Sequence, residues 1–338
     1  MEFVSGHFHD LIVSLAYCML NTFYQLIRTA RPRQWLKNFA VFAPITFAGL
    51  LLEPKNFELA AKAFLVFCAL SSATYFMNDI VDMDKDKLHP IKKNRPIPSG
   101  KLSKKLAVTA SVLLATAGLF YAYKQVGSYF TAICMMYIVL QICYSFYFRH
   151  VIILDSLIVA SGFIIRVFAG GVASYSSVSS WLLLTTIGLS LLLAFGKRRS
   201  EKTLLAQHQV LQDQTETRAT LRHYPDSLLD SMISTSASFC LITYALFAFQ
   251  TSPHEVSGDF VRYLPSILGN PKWLMITIPV VIYGVARYLY IIYEKKDAES
   301  PERVLLSDRP ILATVVLWVI VVLLILYGLP QLSLASFQ

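Results

Sequence analysis

Apolar residues gather in long runs along this chain, and polar residues fill the gaps between them. Nine such runs lie at 38–53, 58–79, 105–123, 128–148, 150–170, 180–196, 231–250, 272–293 and 310–328. Runs of this kind predict helices that cross a hydrocarbon core about 30 Å thick. The two runs flanking Arg149 and His150 also read as one long broken helix. The pattern is that of an all-α, polytopic membrane protein with nine transmembrane helices. No Gly/Ser linker interrupts it, so residues 1–338 form a single transmembrane domain. Two substantial polar loops, 80–104 and 197–230, follow the second and sixth runs. Within the latter, 199–222 has the make-up of a solvated helix.

Composition agrees with this reading. Hydrophobic residues make up 55% of the chain and charged residues 15%, against about 25% charged in soluble proteins. Mean hydropathy is +0.54. The N-terminal apolar run is short, and Arg28, Arg31 and Arg33 follow it rather than precede it, unlike a cleavable signal. The net charge of +9 is concentrated in alternate loops: ahead of the first run, in 80–105, at Arg149, in 197–230 and in 294–309. The positive-inside rule places the N-terminus and both long loops in the cytoplasm, and nine crossings place the C-terminus outside the cell (inner) membrane. A basic cytoplasmic face of this kind needs no nucleic acid to explain it. Residues 24–38 mix bases with aromatics, as interfacial anchors do, and put Lys37 and Asn38 at the mouth of any cytoplasmic cavity. The five cysteines include no CxxC pair and read as small buried hydrophobes.

Three polar sets carry candidate chemistry. The first is NDIVDMDKD at 78–86, where Asn78, Asp82 and Asp86 recur every four residues. If the helix continues, they share one face and offer hard oxygen ligands suited to Mg²⁺, which usually shares its shell with substrate phosphates. Lys92, Lys93 and Arg95 follow closely. Because this set begins inside an apolar run, at Asn78 and Asp79, a functional reading outweighs that of a solvated acidic loop. The second set lies in 144–171, where Asp155 and Arg166 are eleven residues apart on one helical face, with Gly162 between them. Tyr144 and Arg149 stand near the same mouth. The plainer alternative is a buried ion pair with a neighbouring helix. The third set, Gly196-Lys197-Arg198-Arg199-Ser200-Glu201, is by itself only a topology signal. Arg287 and Asp308-Arg309-Pro310 are less specific still. Ser99-Gly100-Lys101 is not a P-loop, since Arg95 stands where that motif needs glycine.

Taken together, NDxxDxxxD after a second run, followed by HPxKxxRPIPSG at 89–100, resembles the UbiA superfamily of intramembrane prenyltransferases. The resemblance runs from about Arg31 to the end. It implies nine helices around a central cavity, with Mg²⁺ bridging Asp-rich motifs and a substrate diphosphate. Aromatic prenyltransferases of that superfamily carry a second motif of several carboxylates, where this chain offers only Asp155. RPRQWLKNFAVFAP, FGKRRSE and LLSDRPI resemble the decaprenyl-phosphate phosphoribosyltransferase branch. That likeness implies two substrates, phosphoribosyl diphosphate (PRPP) and a polyprenyl phosphate. Under it, Asn78, Asp82 and Asp86 hold the metal, and Lys92 and Arg95 neutralise the leaving pyrophosphate. Asp155 is a second metal ligand or holds a ribose hydroxyl. Lys37, Asn38, Tyr144 and Arg149 line the mouth, and Arg166, Lys197 and Arg198 take the remaining phosphates. The alternative is a prenyltransferase that moves an isoprenyl chain to an aromatic or other acceptor. A transporter, with Asp155 and Arg166 on the path, would give the Asp ladder no purpose. The sequence is compatible with a homo-oligomer.

Overall fold

The computed structural model describes residues 16–17, 19–88, 92–207, 224–252, 272–295 and 301–328, and no strand occurs among them. In chain order the helices are α1 (19–30), a 3-10 segment Pro32–Phe42 running into α2 (Ala43–Phe47), α3 (Pro54–Val81) and α4 (Met83–Leu88). Then come α5 (Lys104–Gln125), α6 (Ser128–Phe146), α7 (Leu154–Ala173) and α8 (Ser180–Gln207). The last four are α9 (Asp226–Thr251), α10 (Ile278–Tyr290), α11 (Pro301–Ser307) and α12 (Arg309–Leu323). Eight stretches among the described residues are long and apolar enough to cross a membrane: α3, α5, α6, α7, Ser180–Leu204, α9, Trp273–Glu294 and Arg309–Gly328.

The boundaries follow local chemistry. Ser103 caps α5 by accepting a hydrogen bond from the Leu106 N–H, and Asp308 caps α12 through the Ile311 N–H. The runs on either side of Arg149 are two helices. The chain leaves α6 through a 3-10 turn, Phe148–His150, and breaks at Ile153, whose φ of 69° no helix accommodates. The solvated helix expected over 199–222 exists as far as Gln207, as an extension of α8. Residues 208–223 lie outside the described residues, as do His89, Pro90 and Ile91.

The first expected crossing, 38–53, departs from the α pattern. Residues 32–42 wind as a 3-10 helix, unusually long for that geometry. Pro44 contributes: it has no N–H to reach the Ala40 carbonyl, which bonds Ala43 instead. The looser rise lets few residues go far. Eleven residues at 2.0 Å and five at 1.5 Å extend about 30 Å, a full bilayer core. The segment does run the length of α3 in the opposite direction. Arg31 meets Asp79 at one end, the Trp35 indole donates to Ser72 at 3.0 Å, and Phe42 lies 5.8 Å from Phe57 at the other. With this passage the crossings among the described residues number nine, eight of them the apolar stretches above.

The period of three sorts this segment into columns. Trp35, Asn38, Val41 and Pro44 face α3 and α7, and all but Trp35 are fully buried. Arg33 and Phe39 are exposed. Gln34 and Lys37 are half-buried and face the interior of the polar end. A close approach to α7 fixes this register. A Cβ on Gly170 would stand 2.0 Å from the Val41 carbonyl oxygen, so only glycine fits there.

Two apolar cores flank the middle of the molecule. Phe67, Leu70, Phe130 and Tyr137 anchor the half built from α3, α6 and α7; Leu192, Leu229, Ile233 and Ile292 anchor the half built from α8 to α10. Outward-facing Leu113, Phe120 and Val316 are exposed, as lipid-facing side chains are. α3 and α7 are the innermost of the spans, and they carry the first two polar sets.

Candidate active site

The basic loops meet at one end of the bundle. The ladder survives the end of α3, because the Asp82 N–H bonds the Asn78 carbonyl at 2.9 Å and the Asp86 N–H bonds the Asp82 carbonyl at 2.8 Å. Helical spacing therefore continues through Asp82, and Asn78, Asp82 and Asp86 stay on one face. Cations surround it. Arg149 Nη1 donates to Asp82 at 2.5 Å, Arg95 Nη1 to Asp86 at 2.6 Å, and Arg31 to Asp79. Arg95 also reaches Asp79, at 3.1 Å. The Asn78 amide oxygen accepts from the Ser145 hydroxyl. Asp79, which the four-residue spacing passes over, is the anchor that ties Arg31 and Arg95 together.

Asp155 does not meet Arg166. Eleven residues of helix are about 16 Å long, so sharing a face does not bring the two into contact. Asp155 instead accepts from Arg198 Nε at 2.6 Å and from the Tyr224 hydroxyl at 2.5 Å. Burial and the Asp155 charge push the Tyr224 hydroxyl up to about 12. Arg198 further donates to Tyr144 at 3.1 Å and to Glu201 at 3.2 Å, and Lys92 lies 3.2 Å from Glu201. This is the plainer alternative, an ion pair between α7 and α8. Arg166 is fully engaged by the protein. It donates to Asn38 at 2.7 Å, to the Gly162 carbonyl at 2.6 Å and to Tyr137 at 3.1 Å, and stacks over Tyr137 and Phe67.

A third group assembles between the 3-10 segment and α11. Glu302 accepts from the Gln34 amide and pairs with Lys37 at 3.3 Å. Gln34 in turn accepts from the Tyr75 hydroxyl at 3.4 Å, beneath the Arg31 guanidinium. Burial pushes the Glu302 carboxyl up, but Lys37 and Lys197 outweigh it and hold the group below its usual range. Arg287 and Asp308 simply pair with each other, at 3.0 Å.

Sequence reasoning missed Asp79, Tyr224 and Glu302. Asp79 had a signal, a carboxylate inside an apolar run. Tyr224 and Glu302 had none, since each lies beside a polar loop and belongs to no spaced set.

Among the described residues, no three His, Cys, Asp or Glu side chains converge into a ready-made metal cage. The ladder offers the partial set that suits Mg²⁺, two carboxylates and an amide, with phosphate and water to complete the shell. Asp86 fits that use. Burial pushes its carboxyl above the usual range, and Arg95 and Lys92 only partly offset this, so a further cation would stabilise the ionised form.

An all-helical membrane bundle with its charged residues gathered at one end of the two inner spans is the architecture of an intramembrane transferase. The UbiA prenyltransferase family matches residues 41–307, and the chain belongs to it. The decaprenyl-phosphate phosphoribosyltransferase of Mycolicibacterium smegmatis is 33% identical, over 87% of this chain and 90% of its own. The enzyme of the same name from Corynebacterium glutamicum is 30% identical, over 90% and 88%. In fold the chain resembles a UbiA homologue from Archaeoglobus fulgidus bound to GPP and Mg²⁺, with a TM-score of 0.59, 16% identity and coverage of 92% of this chain and 99% of that one.

Proposed function

We propose that this enzyme transfers the 5-phosphoribosyl group of PRPP to a polyprenyl phosphate such as decaprenyl phosphate and releases pyrophosphate. The observation that carries the reading is the near full-length likeness to enzymes of that name. The site's charge supports it, because PRPP and a lipid phosphate together bring a diphosphate and two further phosphates. Arg31, Lys92, Arg95 and Arg149 lie around the ladder, and Lys37 and Lys197 lie beyond it. The site then faces the cytoplasm, where a soluble donor reaches it, and the C-terminus lies outside.

Asn78, Asp82 and Asp86 would hold Mg²⁺, which when bound would supply Lewis acidity to the leaving pyrophosphate. Arg95 and Arg149, released from Asp86 and Asp82, turn to the diphosphate oxygens and stabilise the charge that grows there. The C1–O bond to pyrophosphate breaks, and an oxygen of the lipid phosphate forms the new bond at C1 from the opposite face. The acceptor is already an anion, so no general base is needed. Asp155 holds Arg198 and Tyr224 in place, and Arg166 locks the 3-10 segment to α7 through Asn38; neither needs to touch substrate.

The test is an assay of purified protein with Mg²⁺, labelled PRPP and polyprenyl phosphate. Label is expected in an organic-extractable lipid. Transfer from an isoprenyl diphosphate to an aromatic acid, with none from PRPP, would overturn the reading.

A further inference from the structure

The metal ladder and the bases around it account for phosphates, but not for the group around Glu302. That group differs in chemistry. Glu302 is 8% exposed, and its Oε2 lies 3.3 Å from Lys37 without accepting a well-formed hydrogen bond, so lone pairs remain on it. Tyr288, on α10, is 6% exposed, and its hydroxyl has no hydrogen-bond partner among the described residues. That hydroxyl stands against Gly196, where an added Cβ would lie 3.0 Å away, one residue before Lys197, and it feels the Glu302 charge. Ser200, one turn further along α8, is likewise buried with an unpartnered hydroxyl. Buried polar atoms left without partners are rare, and each loses about 1–3 kcal/mol of hydration.

A carboxylate oxygen held only by a long contact to Lys37, and an unpartnered hydroxyl, suit a ligand that donates and accepts. Sugar hydroxyls do both, whereas an isoprenyl chain does neither. Position agrees. Tyr75 touches both neighbours: its hydroxyl reaches Gln34 at 3.4 Å, and its ring lies under the Arg31 guanidinium, which pairs with Asp79 beside the ladder. A ribose joined through C1 to a diphosphate at the ladder would extend its 2- and 3-hydroxyls toward that side.

We propose that Glu302, Gln34 and Tyr288 form the subsite for the ribose hydroxyls of the phosphosugar donor, with Glu302 as the acceptor that selects a sugar over an isoprenyl chain. The inference rests on the function proposed above. Glu302 already turns its other oxygen to Gln34, so the amide bridges the sugar subsite to Tyr75 and the base of the ladder.

The experiment compares PRPP with its 2-deoxy and 3-deoxy analogues as donors to polyprenyl phosphate, in the full-length protein and in Glu302→Gln. In the wild type, kcat/KM should fall at least about tenfold for one or both analogues, as expected for losing a hydrogen bond to a charged group. Glu302→Gln should lose a similar factor on PRPP and little on that analogue, so that the ratio collapses toward one. Tyr288→Phe removes a hydroxyl that no protein group uses, and it should narrow the same ratio without loss of folding; it decides the matter if Glu302→Gln does not fold. If Glu302 merely balanced Lys37, all donors would suffer equally and the ratio would stay at its wild-type value, which would overturn the subsite. A wild type that transfers only isoprenyl groups would instead defeat the function itself, so the two failures are distinct.

Discussion

Two carboxylate centres share the polar end of this bundle, one on α3 and α4 and one between α7 and α8. Both pair aspartate with arginine at about the same distance, yet they differ in access. In the first, the side chains of Asp82, Arg95 and Arg31 are 25%, 28% and 26% exposed, over Asp79 and Asp86 at 2% and 7%. In the second, Asp155, Arg198 and Glu201 are 4%, 3% and 4% exposed. Water reaches Asp82 and the cations of the first, so on the proposed function its ion pairs exchange for a metal and a diphosphate. The second is sealed, and separating its charges would leave them buried without partners. On the proposed function, similar residues serve as machinery in one centre and as framework in the other.

The sharpest test of this contrast is Asp82→Ala. On the proposed function it removes a metal ligand and little core volume, so turnover should fall by about a thousandfold, the upper range for losing a key electrostatic group, with thermal stability in detergent nearly unchanged. A variant that kept full activity would remove the ladder from the mechanism. Arg198→Met should do the reverse of Asp82→Ala. It takes their shared arginine from the buried Asp155 and Glu201, leaving Tyr224 and Lys92 as partners, and should destabilise the fold by about 3 kcal/mol, read as a lowered unfolding midpoint. Adding Asp155→Asn should restore part of that loss. If Arg198→Met stayed stable and lost only activity, the second centre would be a substrate site. Lys92, which reaches Glu201 from the loop beyond the ladder, links the centres and should show the smallest effect. Lys92→Met is expected to raise the KM for donor about tenfold, the loss of one charge-assisted contact, with no measurable shift in the midpoint.

Much of this was legible beforehand because it depends on period and composition. Long apolar runs can only be helices in a bilayer, and α3, α5 to α10 and α12 lie where those runs fall. The ladder was equally plain, since the spacing of Asn78, Asp82 and Asp86 needed only a helix that did not stop. What failed was pairing. Asp155 and Arg166 share a face, but that says nothing about which neighbouring helix supplies each partner, and Arg198 and Asn38 come from elements far away in sequence. Glu302 escaped for the same reason: its meaning comes from Gln34, 268 residues earlier. The 3-10 crossing was hidden because its apolar residues suit either winding. Only the contact at Gly170 and the missing N–H of Pro44 tell the two apart.

That winding also makes the site sensitive to the membrane around it. Rewound as an α-helix, residues 32–42 would shorten by about 5 Å and no longer span an ordinary core. Lys37 would swing about 60° around the axis relative to Gln34, so the two would no longer share a column. A thinner core would favour the shorter form, and the alignment of the polar end would then follow the thickness of the bilayer.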